Sequence, residues 1–139
     1  MKDSAFSDGV RAAFDGLLRR GALHFVSSRH DEESFGNAEV VLAGGSFRVR
    51  IVRDRGDVFA DVGPSGSSEW WPLERALQAV GIADAPEVGI RPVEESASLL
   101  SKHLGAIESG FSPRCRAETL RVLQALDTAT NKRIEDGGR

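Results

Sequence analysis

The chain predicts an α+β fold: an N-terminal helix, an antiparallel β-meander of about four strands, then three helices packed on one sheet face. Three observations carry this reading. Helix-period patterns flank a block of β-prone runs instead of alternating with it, which argues against repeated βαβ units. Gly44-Gly45 and Asp54-Arg55-Gly56-Asp57 cut that block into lengths suited to tight hairpins. Strands paired through both turns, each turn read separately, put a single apolar set on one side.

The first element is "SDGVRAAFDGLLRRG", with Ser7 at an N-cap position and Val10, Phe14, Leu17 and Leu18 at helical spacing. Arg19 and Arg20 suit the last turn, and Gly21 is a stop. "ALHFVSS" alternates Leu23 and Phe25 with His24 and Val26 and reads as a short strand, followed by a polar loop, "RHDEESFGN". "AEVVLA", "FRVRIV" and "VFADV" then form the centre of the sheet.

With Gly44-Gly45 as a two-residue loop, Leu42 faces Phe47, Val40 faces Val49 and Ala38 faces Ile51, and Glu39 lies opposite Arg50. With Arg55-Gly56 as the next loop, Ile51 meets Ala60, Val49 meets Val62 and Arg50 meets Asp61. A row of alternating charge, Glu39, Arg50 and Asp61, then crosses the reverse face. A competing three-residue turn over Asp54, Arg55 and Gly56, with a bulge, would move Phe59 to the core side.

Pro72 suits the opening of a second helix, where Leu73, Ala76, Leu77 and Val80 recur on one side before Gly81. "ADAPEVGIRP" is a proline-bearing connection. A third helix is expected from about Val93 to Ser109, with Leu99, Leu100, His103, Leu104 and Ile107 along one side. In the fourth, Ser112 caps, Pro113 opens, and Cys115, Thr119, Leu120, Leu123 and Leu126 face inward.

The 139 residues fit one domain over 1–139, with a sheet unit of about 1–81, C-terminal helices of about 92–128 and a tail, 129–139, that frays. A formal charge of -3 argues against nucleic acid as a partner. No apolar run approaches the ~20 residues of a membrane span, and "MKDSAFSDG" lacks an apolar signal core, so no membrane partner and a cytoplasmic location are expected. Cys115 is the single cysteine, which leaves no intrachain disulfide and no thiolate metal cage.

Nucleotide-binding glycine patterns and a nucleophile elbow are both missing: "GGSF" sits in a hairpin, and "GPSGSS" has the wrong spacing. The most enzyme-like stretch is "RHDEE", where His30, Asp31 and Glu32 offer a general base or hard-cation ligands in a loop. The competing reading is a solvated loop, because no second His-rich segment supports a metal site. No catalytic residue, metal or cofactor is assigned. The polar concentration at Arg50, Arg53, Asp54, Arg55 and Asp61 is a hairpin with an exposed tip, a sound place to engage a partner. Trp70 and Trp71 adjoin it; consecutive aromatics cannot readily both enter one core, so one of them is a contact candidate.

The run "SFGNAEVVLAGGSFRVRIVRDRGDVFADV" and then "EWWPLERALQAVG" resembles a family of small uncharacterised bacterial proteins with an FGN start, an RDRG turn and a Trp-Leu helix. The matching positions are Phe35, Gly36, Asn37, Arg53, Asp54, Arg55, Gly56 and Trp71, and the resemblance spans about Ser34 to Gly81. Such compact acidic α+β proteins are similar to immunity proteins of bacterial toxin systems, which bind a cognate toxin and block its active site. The resemblance implies a non-catalytic protein-binding domain whose partner is a toxin. Two alternatives stand beside it. One is a small metal-dependent hydrolase using the His30-Asp31-Glu32 loop. The other is a chaperone-like or structural homodimer that pairs through Val41, Val52 and Phe59.

Overall fold

The computed structural model describes residues 2–31 and 37–137. Its architecture is α+β, with five antiparallel strands in the order β1-β2-β3-β4-β5 and all its helices outside that block. The strands are β1 (His24–Asp31), β2 (Asn37–Ala43), β3 (Phe47–Asp54), β4 (Asp57–Pro64) and a two-residue β5 (Trp71–Pro72). α1 (Lys2–Ala13) and α2 (Asp15–Arg19) precede them; α3 (Leu73–Ala79), α4 (Val93–Lys102), α5 (Leu104–Gly110) and α6 (Arg116–Gly137) follow.

One apolar core lies between the sheet and the helices. The strands contribute Val40, Leu42, Phe47, Val49, Ile51, Ala60, Val62 and Trp71. The helices contribute Val10, Leu17, Leu73, Ala76, Leu77, Ala97, Leu100, Ile107 and Leu123 from their inner faces. All the core strand positions expected from the sequence are buried, Ala38 included. α6 is tied to α3 by Arg75, which donates to the Leu126 carbonyl and pairs with Asp127.

The turn between β3 and β4 is the two-residue Arg55-Gly56 loop, both residues at positive φ (55° and 88°), as a primed hairpin turn requires. Ile51 pairs with Ala60, Val49 with Val62 and Arg50 with Asp61. The three-residue alternative does not occur. Asn37 Oδ1 accepts the Arg55 backbone N–H at 2.9 Å and holds the tip against β2.

The β2–β3 register differs from the expected one by two residues. Val40 pairs with Ile51, Val41 with Arg50 and Leu42 with Val49, so Glu39 lies opposite Val52 and not Arg50. The loop is Gly45-Ser46, closed by Gly44 N–H donating to Phe47 O at 2.8 Å. Tertiary contacts set this choice: Ser46 Oγ donates to the Glu108 carbonyl and Gly45 N–H to Glu108 Oε1, both on α5. At Gly44, just past the end of β2, a Cβ would lie 2.7 Å from the Phe47 ring, so this position favours glycine. A two-residue slip preserves side-chain alternation, so the apolar face survives the change.

Other boundaries move too. α1 starts before Ser7, which is buried inside the helix and is not its cap, because Phe6 extends the apolar stripe by one more turn and packs on the core. Residues 29–31, expected in a loop, extend β1, which carries a bulge between Phe25 and Ser27. The expected helix 93–109 is two helices broken at His103, whose backbone (φ -114°, ψ 22°) leaves the helical region. Ser112 does not cap α6: its hydroxyl donates to the Ser109 carbonyl, and the helix begins at Arg116. The α6 backbone continues through Gly137.

Candidate functional site

Because side chains alternate along strands, the face turned away from the helices is set by the registers. Four rows cross it. His24, Ala43, Arg48 and Gly63 form the row nearest the β2–β3 turn; Ser27, Val41, Arg50, Asp61 and Pro72 form the second. Arg29, Glu39, Val52 and Phe59 form the third, and Asn37, Asp54 and Asp57 close the face toward the Arg55 tip.

Trp70 covers the first row. At Gly63 a Cβ would stand 2.1 Å from the Glu69 carbonyl oxygen, so only glycine lets the 65–70 loop lie against β4 here. The indole then meets two guanidinium groups, Arg48 at 4.3 Å and Arg50 at 4.7 Å from its centroid. Arg48 donates weakly to Pro64 O at 3.5 Å, while its buried Nη2 has no hydrogen-bond partner among the described residues. Burial, and after it the charge of Arg50, lowers the Arg48 pKa from its ordinary value. Arg50 is better matched, with Nη2 2.7 Å from Asp61 Oδ2 and Nε at 3.2 Å.

Beyond this stack the face hollows. A cleft of about 280 Å³ is floored by Val52, Phe59 and Pro72, and its far wall is Val88 and Gly89 of the connection between α3 and α4. Glu39, Asp54, Asp61 and Glu74 border it. Glu74, only 5% exposed, is held by Arg91 Nε at 2.8 Å, and Arg91 Nη2 donates back to Glu87 O. This ion pair fixes the connection beside the sheet. A second hollow, of about 520 Å³, shares Glu39, Val52 and Asp54 with the first and runs on past Arg29 and Asn37. The exposed large hydrophobics among the described residues are Val26, Val88 (46%) and Ile90 (58%), two of them on that connection.

Of the residues singled out from the sequence, Arg50, Asp54, Asp61 and Trp70 share this face, and Arg55 stands at its tip. Trp71 does not: it pairs with Val62 and is 6% exposed in the core. Arg53 is on the helix side, in register with Ala38, its guanidinium 4.9 Å from the Phe6 ring. The expected Glu39–Arg50–Asp61 row is reduced to the Arg50–Asp61 pair. Val41, one of the three residues of the self-association patch, is buried, and Val52 and Phe59 stay partly open.

His30 lies on the helix side, in register with Ala38. Glu32 and the Asp31 side chain lie outside the described residues, as do Phe35 and Gly36 of the FGN motif. Among the described residues no three His, Cys, Asp or Glu side chains gather as metal ligands, and no helix is long and apolar enough to cross a membrane. Sequence reasoning missed Arg48, although the alternation in "FRVRIV" places it beside Arg50, and missed Val88, whose role depends on the path of the connection. Comparison with protein-family models, curated proteins and solved structures found no match to this chain.

Proposed function

We propose that this chain is a non-catalytic, cytoplasmic protein-binding domain of the immunity type, which engages a toxin through the sheet face turned away from its helices. One observation carries the reading: partly open Val52 and Phe59 line a cleft with charged borders together with the exposed Val88. An apolar centre with a polar rim is the usual anatomy of a protein contact, and aromatic residues beside it, here Trp70, are frequent anchors. The net charge of -3 favours encounter with a basic partner.

The test is co-expression with the product of the neighbouring gene. A complex that co-purifies, protects cells expressing that product, and is lost in Phe59→Glu or Val88→Asp supports the proposal. Failure to form a complex together with failure to protect overturns it. Sedimentation of the isolated chain is expected to give a monomer; a stable dimer that Phe59→Glu dissociates would make the face a self-association surface instead.

A further inference from the structure

We infer that the cleft beside β3 and β4 receives a basic side chain, arginine or lysine, of the protein partner; this rests on the binding reading above and specifies its chemistry. Of the four bordering carboxylates, two are already matched within the chain, Asp61 by Arg50 and Glu74 by Arg91. Glu39 and Asp54 have no ion pair among the described residues.

Their placement gives the site its shape. Glu39 is the cross-strand partner of Val52, Asp54 is two residues further along the same strand and therefore on the same face, and Phe59 flanks Val52 from β4. An aliphatic floor and one aromatic ring thus adjoin two unmatched negative charges. At about 280 Å³ the cleft has room for one long side chain. A basic side chain fits each part: its methylene stem covers Val52 and Val88, its cation reaches Glu39 and Asp54, and the Phe59 ring offers its face. An acidic side chain would be repelled. An aliphatic one would strip water from two carboxylates without replacing it.

Arg29 is in register with Glu39 across β1 and β2 and makes no ion pair among the described residues. It is an internal competitor for Glu39, and its removal should strengthen the incoming cation's hold. That direction separates the proposal from mere damage to the fold.

The experiment titrates the full-length, isotope-labelled chain with two capped peptides, Gly-Leu-Arg-Leu-Gly and the same sequence with neutral citrulline in place of arginine. Amide resonances of Val52, Phe59 and Val88 are expected to shift saturably with the arginine peptide and not with the citrulline peptide. Glu39→Gln and Asp54→Asn should each weaken the response about two- to fivefold, and Arg29→Gln should tighten it by a similar factor. Equal response to both peptides, shifts confined to another surface, or indifference to both carboxylate substitutions in folded protein overturns the inference. If the cation preference fails while a Phe59-dependent complex with the partner persists, the inference falls alone; if that complex is missing as well, the binding reading falls with it.

Discussion

The two faces of β2, β3 and β4 are built from the same strands but assign opposite tasks to neighbouring residues. Phe47, Val49 and Ile51 point toward the helices and are fully buried, while the alternate residues Arg48, Arg50 and Val52 are partly open. The first face holds the fold through apolar area removed from water, the second through local pairs that leave a cleft between them. Core packing and a partly open, charged surface thus alternate here at a spacing of one residue.

The sharpest way to break the comparison is to truncate one aromatic on each face. Phe47→Ala should cost about 3–5 kcal/mol in denaturant unfolding. Phe59→Ala should cost about 1 kcal/mol and leave folding intact. Similar losses from both would mean that the outer face is as structural as the inner.

Next in size is Gly63→Ala. Its Cβ would collide with the Glu69 carbonyl, so a loss of about 1–3 kcal/mol is expected, with a shift in tryptophan emission as Trp70 is displaced from Arg48 and Arg50. Unchanged emission would show that the loop does not position the indole. The Arg50–Asp61 pair is only partly buried, its side chains 27% and 18% exposed, and should show a coupling of about 0.5–1 kcal/mol in a cycle of Arg50→Met and Asp61→Asn. The smallest effect is a gain. Arg55→Asn at φ 55° should stabilise by roughly 0.5 kcal/mol, since asparagine tolerates the left-handed region better, while removing the cation at the tip. Partner binding unaffected by this change would exclude the tip from the contact.

What could be read from the sequence divides along a physical line. The β3–β4 hairpin was legible because "DRGD" contains its own turn chemistry, so the Arg50–Asp61 pair followed from local geometry alone. The β2–β3 hairpin was not, because Gly44-Gly45 and Gly45-Ser46 are both sterically permissive loops and the choice is made by Glu108, 62 residues beyond Ser46. The assignment of faces withstood the error, since alternation is insensitive to a two-residue slip; the neighbour of Glu39 did not. The Trp70-Trp71 pair gave one inward and one outward ring, and the pairing of Trp71 with Val62 decided which was which. Val88 carried no pattern to read, because its place in the cleft comes from the Arg91–Glu74 tie on the connection.

That tie also bears on how such a chain diversifies. Glu74 belongs to α3, beside the sheet, and Arg91 to the segment leading into the C-terminal helices, so losing either partner alone strands a charge away from water. Substitutions at these two positions are therefore expected to be inherited together, either as the ionic pair or as an uncharged replacement of both. Glu39 and Asp54 have no such ion pair among the described residues and can drift one at a time, so the charge of the cleft can change while the frame around it is conserved.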